Sequence, residues 1–130
     1  MMRGILMDEK LVAEDLTYRI RASIFAVANT LGSGFLEKVY ENALAIELRC
    51  AGLVVSTQVP IRVFYKRQIV GDYQADMLIE NHVLLELKAV SALRPEHEAQ
   101  LLNYLRATRK PVGLLVNFGQ PKVQIKRMVL

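Results

Sequence analysis

Cysteine occurs once in the 130 residues, at Cys50, and histidine twice, at His82 and His97. A lone cysteine excludes a disulfide framework and leaves nothing from which to build a cysteine zinc site. Two histidines likewise exclude a histidine-rich metal cage, so a metal here is expected to be a hard cation on carboxylate oxygens. No apolar run approaches the length of a membrane span, and the opening MMRGILMDEK lacks the apolar core of a signal peptide. Those absences lead to the expectation of a cytoplasmic chain without a membrane partner. Repeats, low-complexity tracts and linker-like stretches are missing too. Residues 1–130 are therefore read as a single domain, long enough to bury a core without staples.

What is present is ordinary globular composition: 52% apolar, 23% charged, net charge +4 and pI about 9.4. That balance tolerates a polyanionic partner without demanding one. The basic residues gather in short groups: Lys66-Arg67, Arg106 with Arg109-Lys110, and Lys122 with Lys126-Arg127. Each group reads as readily as a solvated loop or helix end as it does a contact surface.

Apolar residues recur at three- and four-residue steps from Asp8 to about Leu31 (Leu11, Val12, Leu16, Ile20, Ile24, Val27, Leu31), which predicts an amphipathic helix. Gly32-Ser33-Gly34 breaks it. A second helix is expected from Phe35 to about Cys50, with Leu36, Val39, Tyr40, Ala43, Leu44 and Leu48 on its apolar side and Gly52 as its stop. Strand patterns follow, with turn signals at Lys66–Gln68 and Glu80–His82. Pro60 inside the first strand pattern argues for an edge or a bulge. RPEHEAQLLNYLRATRK is helical, with Pro95 suited to its first turn. VGLLVNF and KVQIKRMVL then read as a buried and an alternating strand. The last could pair with a second copy or merely close the sheet's edge. The expected fold is α/β: a mixed sheet flanked by helices.

The stretch DYQADMLIENHVLLELKAV, Asp72 to Val90, is apolar yet carries Asp76, Glu86 and Lys88. A three-residue turn centred on Asn81 sets Asp76 opposite Glu86, with Cβ atoms about 4.5–5.5 Å apart. Alternation then puts Gln74, Asp76, Leu78, Leu84, Glu86 and Lys88 on one face. Ala75, Met77, Ile79, Val83, Leu85, Leu87 and Ala89 make up an apolar opposite face. Paired carboxylates repel and raise each other's pKa, a penalty that a divalent cation between them removes. Mg²⁺ takes one or two protein carboxylates and keeps several waters, and Lys88 could then orient a water or offset charge developing on a phosphate. On spacing alone, Lys88 could equally bridge Glu86 or Asp76 on a solvated sheet face.

Two helices add candidates. In GSGFLEKVYENAL, Glu37 and Tyr40 share a side, where Glu37 could serve only the helix dipole and Tyr40 could be plain core. The third helix sets His97, Gln100 and Tyr104 on one stripe, able to hydrogen-bond a phosphate or simply to face solvent. His97, between Glu96 and Glu98, fits a surface position better than a catalytic base.

GFLEKVY (Gly34 to Tyr40), ADMLIENHVLLELKAV and HEAQLLNYLRATRKPVGLLVNFG together resemble the blocks of the GxxExxY protein family, from about Leu11 to Val129. That family is assigned to the PD-(D/E)XK nuclease superfamily, whose core has a restriction-endonuclease-like αβββαβ order, here with an extra N-terminal helix. The resemblance implies that Asp76 is the motif aspartate and that Glu86 and Lys88 are the (D/E)-x-K pair. It also implies that Glu37 is the additional acid beside the metal and Gln100 the polar residue of the following helix, with Gly34, Glu37 and Tyr40 as signature. Two positions depart from the pattern: Ala75 stands where the motif proline falls, and Ala28 precedes Asn29 where relatives often carry histidine. The implied function is a Mg²⁺- or Mn²⁺-dependent nuclease hydrolysing nucleic-acid backbone, DNA for preference. Asp76, Glu86 and Glu37 would hold the metal, and Lys88, Glu37 and Gln100 would assist the chemistry. The alternative is a non-catalytic scaffold that binds nucleic acid or protein. A homodimer or protein partner could help select the target. Clustering of Lys66, Arg67, Arg106, Arg109 and Lys110 near the acids would favour DNA binding, and dispersal would favour the scaffold.

Overall fold

A computed structural model describes the backbone of residues 2–130 and the side chains of residues 14–130. The element order is α1 (Met2–Leu31), α2 (Glu37–Cys50), β1 (Val55–Tyr65), β2 (Gln68–Ile79), β3 (Val83–Lys88), α3 (Pro95–Thr108), β4 (Val112–Asn117) and β5 (Gln124–Val129). The strands form one sheet in the order β1-β2-β3-β4-β5. All neighbours are antiparallel except β3 and β4, which are parallel and joined through α3. This is the expected mixed sheet flanked by helices. The parallel pair is its apolar centre: Val83–Leu87 and Val112–Asn117 are buried throughout, as strands covered on both faces must be.

Helix α1 starts at Met2, earlier than the expected Asp8, and its apolar positions Leu16, Ile20, Ile24 and Val27 are buried against the sheet. The side chains of Leu11 and Val12 lie outside the described residues. Helix α2 begins two residues later than expected and is rotated from the predicted face. Leu36 is its extended N-cap and Val39 is exposed, whereas Tyr40, Glu41, Leu44, Ala45 and Leu48 turn inward. The apolar stripe alone misled here because a carboxylate, Glu41, occupies an interior position. Gly52 ends the helix at φ +84°.

The first hairpin turns on Lys66 and Arg67, both at positive φ, between paired Tyr65 and Gln68. That tight two-residue connection suits the strand twist. The second turns on three residues and pairs Ile79 with Val83, Leu78 with Leu84 and Met77 with Leu85, the register expected. Met77, Ile79, Val83, Leu85 and Leu87 pack with α1 and α2, as alternation predicts. Ala75 does not. It lies on the other side with Leu84, Leu101, Tyr104 and Leu105 of the α3 cluster. Alternation fails there because the β1–β2 ladder skips a step at Gln58, whose φ is +51°. Leu78 and Leu84, predicted to share the charged face, also pack under α3. The face bearing the acids is thus a second core with a polar opening, not a bare functional surface.

The chain leaving β3 is clamped from β4. Asn117, fully buried, accepts hydrogen bonds from the amides of Val90 and Gly119 and donates to the Val90 carbonyl and Gln124 Oε1. A Cβ on Gly119 would collide with the backbone of Ala89 and Val90. Asn117→Ala would leave the Val90 amide and carbonyl with no partner in place of Asn117, and is expected to cost about 2–4 kcal/mol in urea unfolding. Gly119→Ala should cost at least as much, because backbone on both sides must move.

Candidate active site

Beyond Met77 and Leu85, two carboxylates take over the pairing of β2 and β3. The Asp76 amide donates to Glu86 Oε1 at 3.0 Å, and the Leu87 amide donates to Asp76 Oδ2 at 2.7 Å. Each acid is thereby fixed by the other strand's backbone. Glu86 is 3% exposed. Among the described residues no buried side-chain oxygen or nitrogen lacks a partner, so Glu86 Oε2, outside these bonds, must reach solvent. Burial, and then the charge of Asp76, raises the Glu86 carboxyl to about 8. Asp76 is raised as well, by burial first, against the opposing pull of the Leu87 amide.

Lys88 is half-buried at the end of β3, and its charge acts on Asp76, Glu86 and Glu37. Among the described residues its ammonium forms no ion pair; the carboxylate–cation pairs lie elsewhere. The bridged arrangement that spacing allowed is therefore absent, and the amine is left for another partner.

Helix α2 delivers two acids, one turn apart. Glu37, in its first turn, is exposed, and its pKa is raised by burial of the carboxyl and then by Asp76. Glu41, not singled out from the sequence, is 4% exposed, accepts from the Gln58 amide and pairs with Lys38. Gln58 also acts on Asp76, offsetting part of the rise in its pKa. The left-handed backbone at Gln58 is strained for a residue with a side chain, and it aims the amide between the two acids. A four-residue step from Glu37 was the available signal for Glu41; nothing in the sequence flags Gln58.

Tyr40 is fully buried, and its hydroxyl hydrogen-bonds elsewhere than to Glu37. Its hydroxyl donates to the Gly32 carbonyl at 2.6 Å and accepts from the Phe35 amide, tying down the turn that leads to Glu37. Its ring stacks on Phe118 at 4.6 Å, and the Phe118 amide donates to the Lys88 carbonyl at 2.8 Å. Tyr40 thus links the start of α2 to the end of β3. Gly34 supplies a φ of +115° in the same turn.

From α3, Gln100 donates to the Tyr104 hydroxyl at 2.9 Å. Burial, and then Glu86, raises the pKa of Tyr104, whose side chain packs in one cluster with Ala75 and Leu84, near Asp76 and Glu86 along their strands. His97 caps its own helix, its Nδ1 accepting from the Arg94 amide. Four of the five basic candidates lie away from the acids, whereas Arg106 lines a groove with Gln100 and Tyr104. Lys66 and Arg67 form a hairpin tip, Arg109 caps the end of α3, and Lys110 bonds Asn81 at the turn opposite the acid end of β3.

The donor set fits a hard divalent cation. Two oxygen-only ligands stand side by side, desolvated and mutually repelling, which is the condition a cation relieves. Among the described residues no three His, Cys, Asp or Glu side chains converge closely enough to hold an ion. Glu37 therefore does not complete a three-acid set with Asp76 and Glu86.

A carboxylate pair and a lysine at the diverging end of two central strands, helices on both faces, define a restriction-endonuclease-like nuclease fold. The PD-(D/E)XK nuclease superfamily profile matches residues 14–128, and the chain belongs to that superfamily. The crystal structure of SSO0001 shares this fold, with a TM-score of 0.56 and 17% identity over 71% of this chain. The match spans 48% of SSO0001. No curated protein matches the chain. Among the described residues no helix is long and apolar enough to cross a membrane.

Glu86, Asp76 and Glu37 all hold protons more tightly in the folded chain than in the unfolded one. Between the ordinary carboxylate range and about pH 8 the folded chain binds more protons, so stability falls as pH rises through that window. The melting temperature of metal-free protein is expected to drop between about pH 5.5 and 8. Glu86→Gln should flatten most of that slope and raise the melting temperature at about pH 8 by several degrees. A slope identical in the variant would show that Glu86 is not the group responsible.

Proposed function

We propose that this chain is a Mg²⁺- or Mn²⁺-dependent phosphodiesterase that hydrolyses nucleic-acid backbone, DNA for preference. The observation carrying it is the interlocked Asp76–Glu86 pair with Lys88 at its edge, in no ion pair among the described residues. Asp76 and Glu86 would hold the metal through the oxygens their backbone bonds leave free, and Glu37 would reach it through water. When bound, the metal supplies Lewis acidity, making water a better nucleophile and drawing charge from the phosphate. Lys88 orients the attacking water and offsets negative charge as it develops. Gln100, held by Tyr104, keeps its carbonyl oxygen and second N–H to orient water or phosphate. Within the superfamily we place the chain in the GxxExxY branch, on Gly34, Glu37 and Tyr40. We also take it as a single cytoplasmic nuclease-like domain over residues 1–130, acting alone or as a homodimer.

A second reading has one observation in its favour. Lys66, Arg67, Arg109 and Lys110 stand away from the acids, as a non-catalytic scaffold would show, while Arg106 lines a groove with Gln100 and Tyr104. Calorimetry with Mn²⁺ separates the two. The nuclease should take up about one ion, lose uptake in Asp76→Ala, and cut single-stranded, duplex or branched DNA only with metal. Lys88→Met should keep the uptake and lose about 100-fold or more in cleavage rate. A folded wild type that takes up no Mn²⁺ leaves the scaffold.

A further inference from the structure

An open groove of about 630 Å³ runs between α3 and the β1–β2 hairpin, with Gln100 and Tyr104 among its lining residues. Tyr104 packs in one cluster with Ala75 and Leu84, near Asp76 and Glu86 along their strands, so the groove lies on the face of the sheet that bears the acids. Ile61 and Val63 supply an apolar side, while the rings of Tyr73 and Tyr104 stand 5.8 Å apart at 43°. Tyr73 is half-exposed, and its Cε2–Cζ–Oη edge passes over Gly71, where any Cβ would displace it. Glycine at that strand position is what lets the ring lie along β2. Asn103 adds a side-chain amide, and the charges of Glu96 and Arg106 cancel.

Phosphates would find little here, with no net charge and an aromatic, apolar wall. A planar neutral ring bearing amide-like edges fits on every count. Stacking is sequence-tolerant, since every base has a π-face. In a duplex those faces are already stacked inside the helix, so a tyrosine wall can be reached only by unpaired bases. We propose that this groove binds unpaired nucleobases of the strand whose phosphate lies at Asp76 and Glu86, making single-stranded DNA, or a frayed or flapped end, the preferred substrate. The assignment of that strand to the acids rests on the nuclease function proposed above; base binding in the groove can be measured separately.

The test is anisotropy in EDTA with a labelled oligothymidylate of about ten residues, an abasic strand of equal length and a duplex. The oligothymidylate should bind about tenfold tighter than the abasic strand, the scale of one stacked base. The chain has five tyrosines and no tryptophan, so binding should also quench tyrosine emission. Tyr73→Ala should erase the preference and Tyr73→Phe retain it, both with Mn²⁺ uptake unchanged. Equal affinity for all three probes, or binding of none, overturns the proposal. So does a Tyr73→Ala variant that changes oligomeric state while binding oligothymidylate as before, since a second copy would then be the occupant. A base preference that persists where Mn²⁺ uptake proves absent supports the groove and removes only the nuclease.

Discussion

The structure turns on the exchange of two side chains for two strands' worth of pairing. Asp76 and Glu86 accept the amides of Leu87 and Asp76. Each carboxylate therefore stops being a flexible surface group and becomes part of the sheet. The exchange fixes both acids, opens β2 from β3 and forces two negative charges into a poorly hydrated cleft. Their raised pKa values record that cost. Every other residue of the site is arranged about this point: Lys88 beyond it, Glu37 and Glu41 from α2, Gln58 from β1, and Gln100 with Tyr104 from α3.

Such a cluster holds its shape only if the chain ends around it are held. Two devices serve that purpose. Asn117 and the bare backbone of Gly119 pin the chain leaving Lys88, and Tyr40 spans from the Gly32 turn to Phe118, which in turn bonds the Lys88 carbonyl. Tyr40 of α2 works through position. It aligns the helix that presents Glu37 with the strand that presents Lys88, in keeping with the support that reactive groups need from residues behind them.

Much of this was legible in the residues, and the failures have physical causes. The element order followed from periodicity and turn residues, and the hairpin register from a three-residue turn, because those signals are local. Asp76 and Glu86 were brought together by that register alone. Glu41 escaped because helical periodicity assigns faces by apolarity, and here a carboxylate sits inside, held by Gln58 and Lys38. Gln58 escaped because its left-handed backbone is imposed by tertiary structure on a residue type with no preference for it. Ala75 was placed on the wrong face for the same reason: alternation assumes an unbroken ladder, and the ladder breaks beside it. The positions of the basic residues depended on which end of each strand met the acids, information that no single segment carries.

Pro60 has a consequence beyond the site. It sits in β1, an outer strand of the sheet, next but one to left-handed Gln58 and shortly before the register shift at Val63/Phe64. The hairpin it belongs to exposes Phe64, Tyr65, Ile69 and Val70, a sticky surface on an open edge. A missing amide donor and two backbone irregularities leave that edge without a regular row of hydrogen-bonding groups. Such an edge disfavours a neighbouring molecule's addition as a sixth strand. The backbone geometry of β1 thus opposes strand-by-strand association of this apolar hairpin, alongside the charges of Lys66 and Arg67 at its tip.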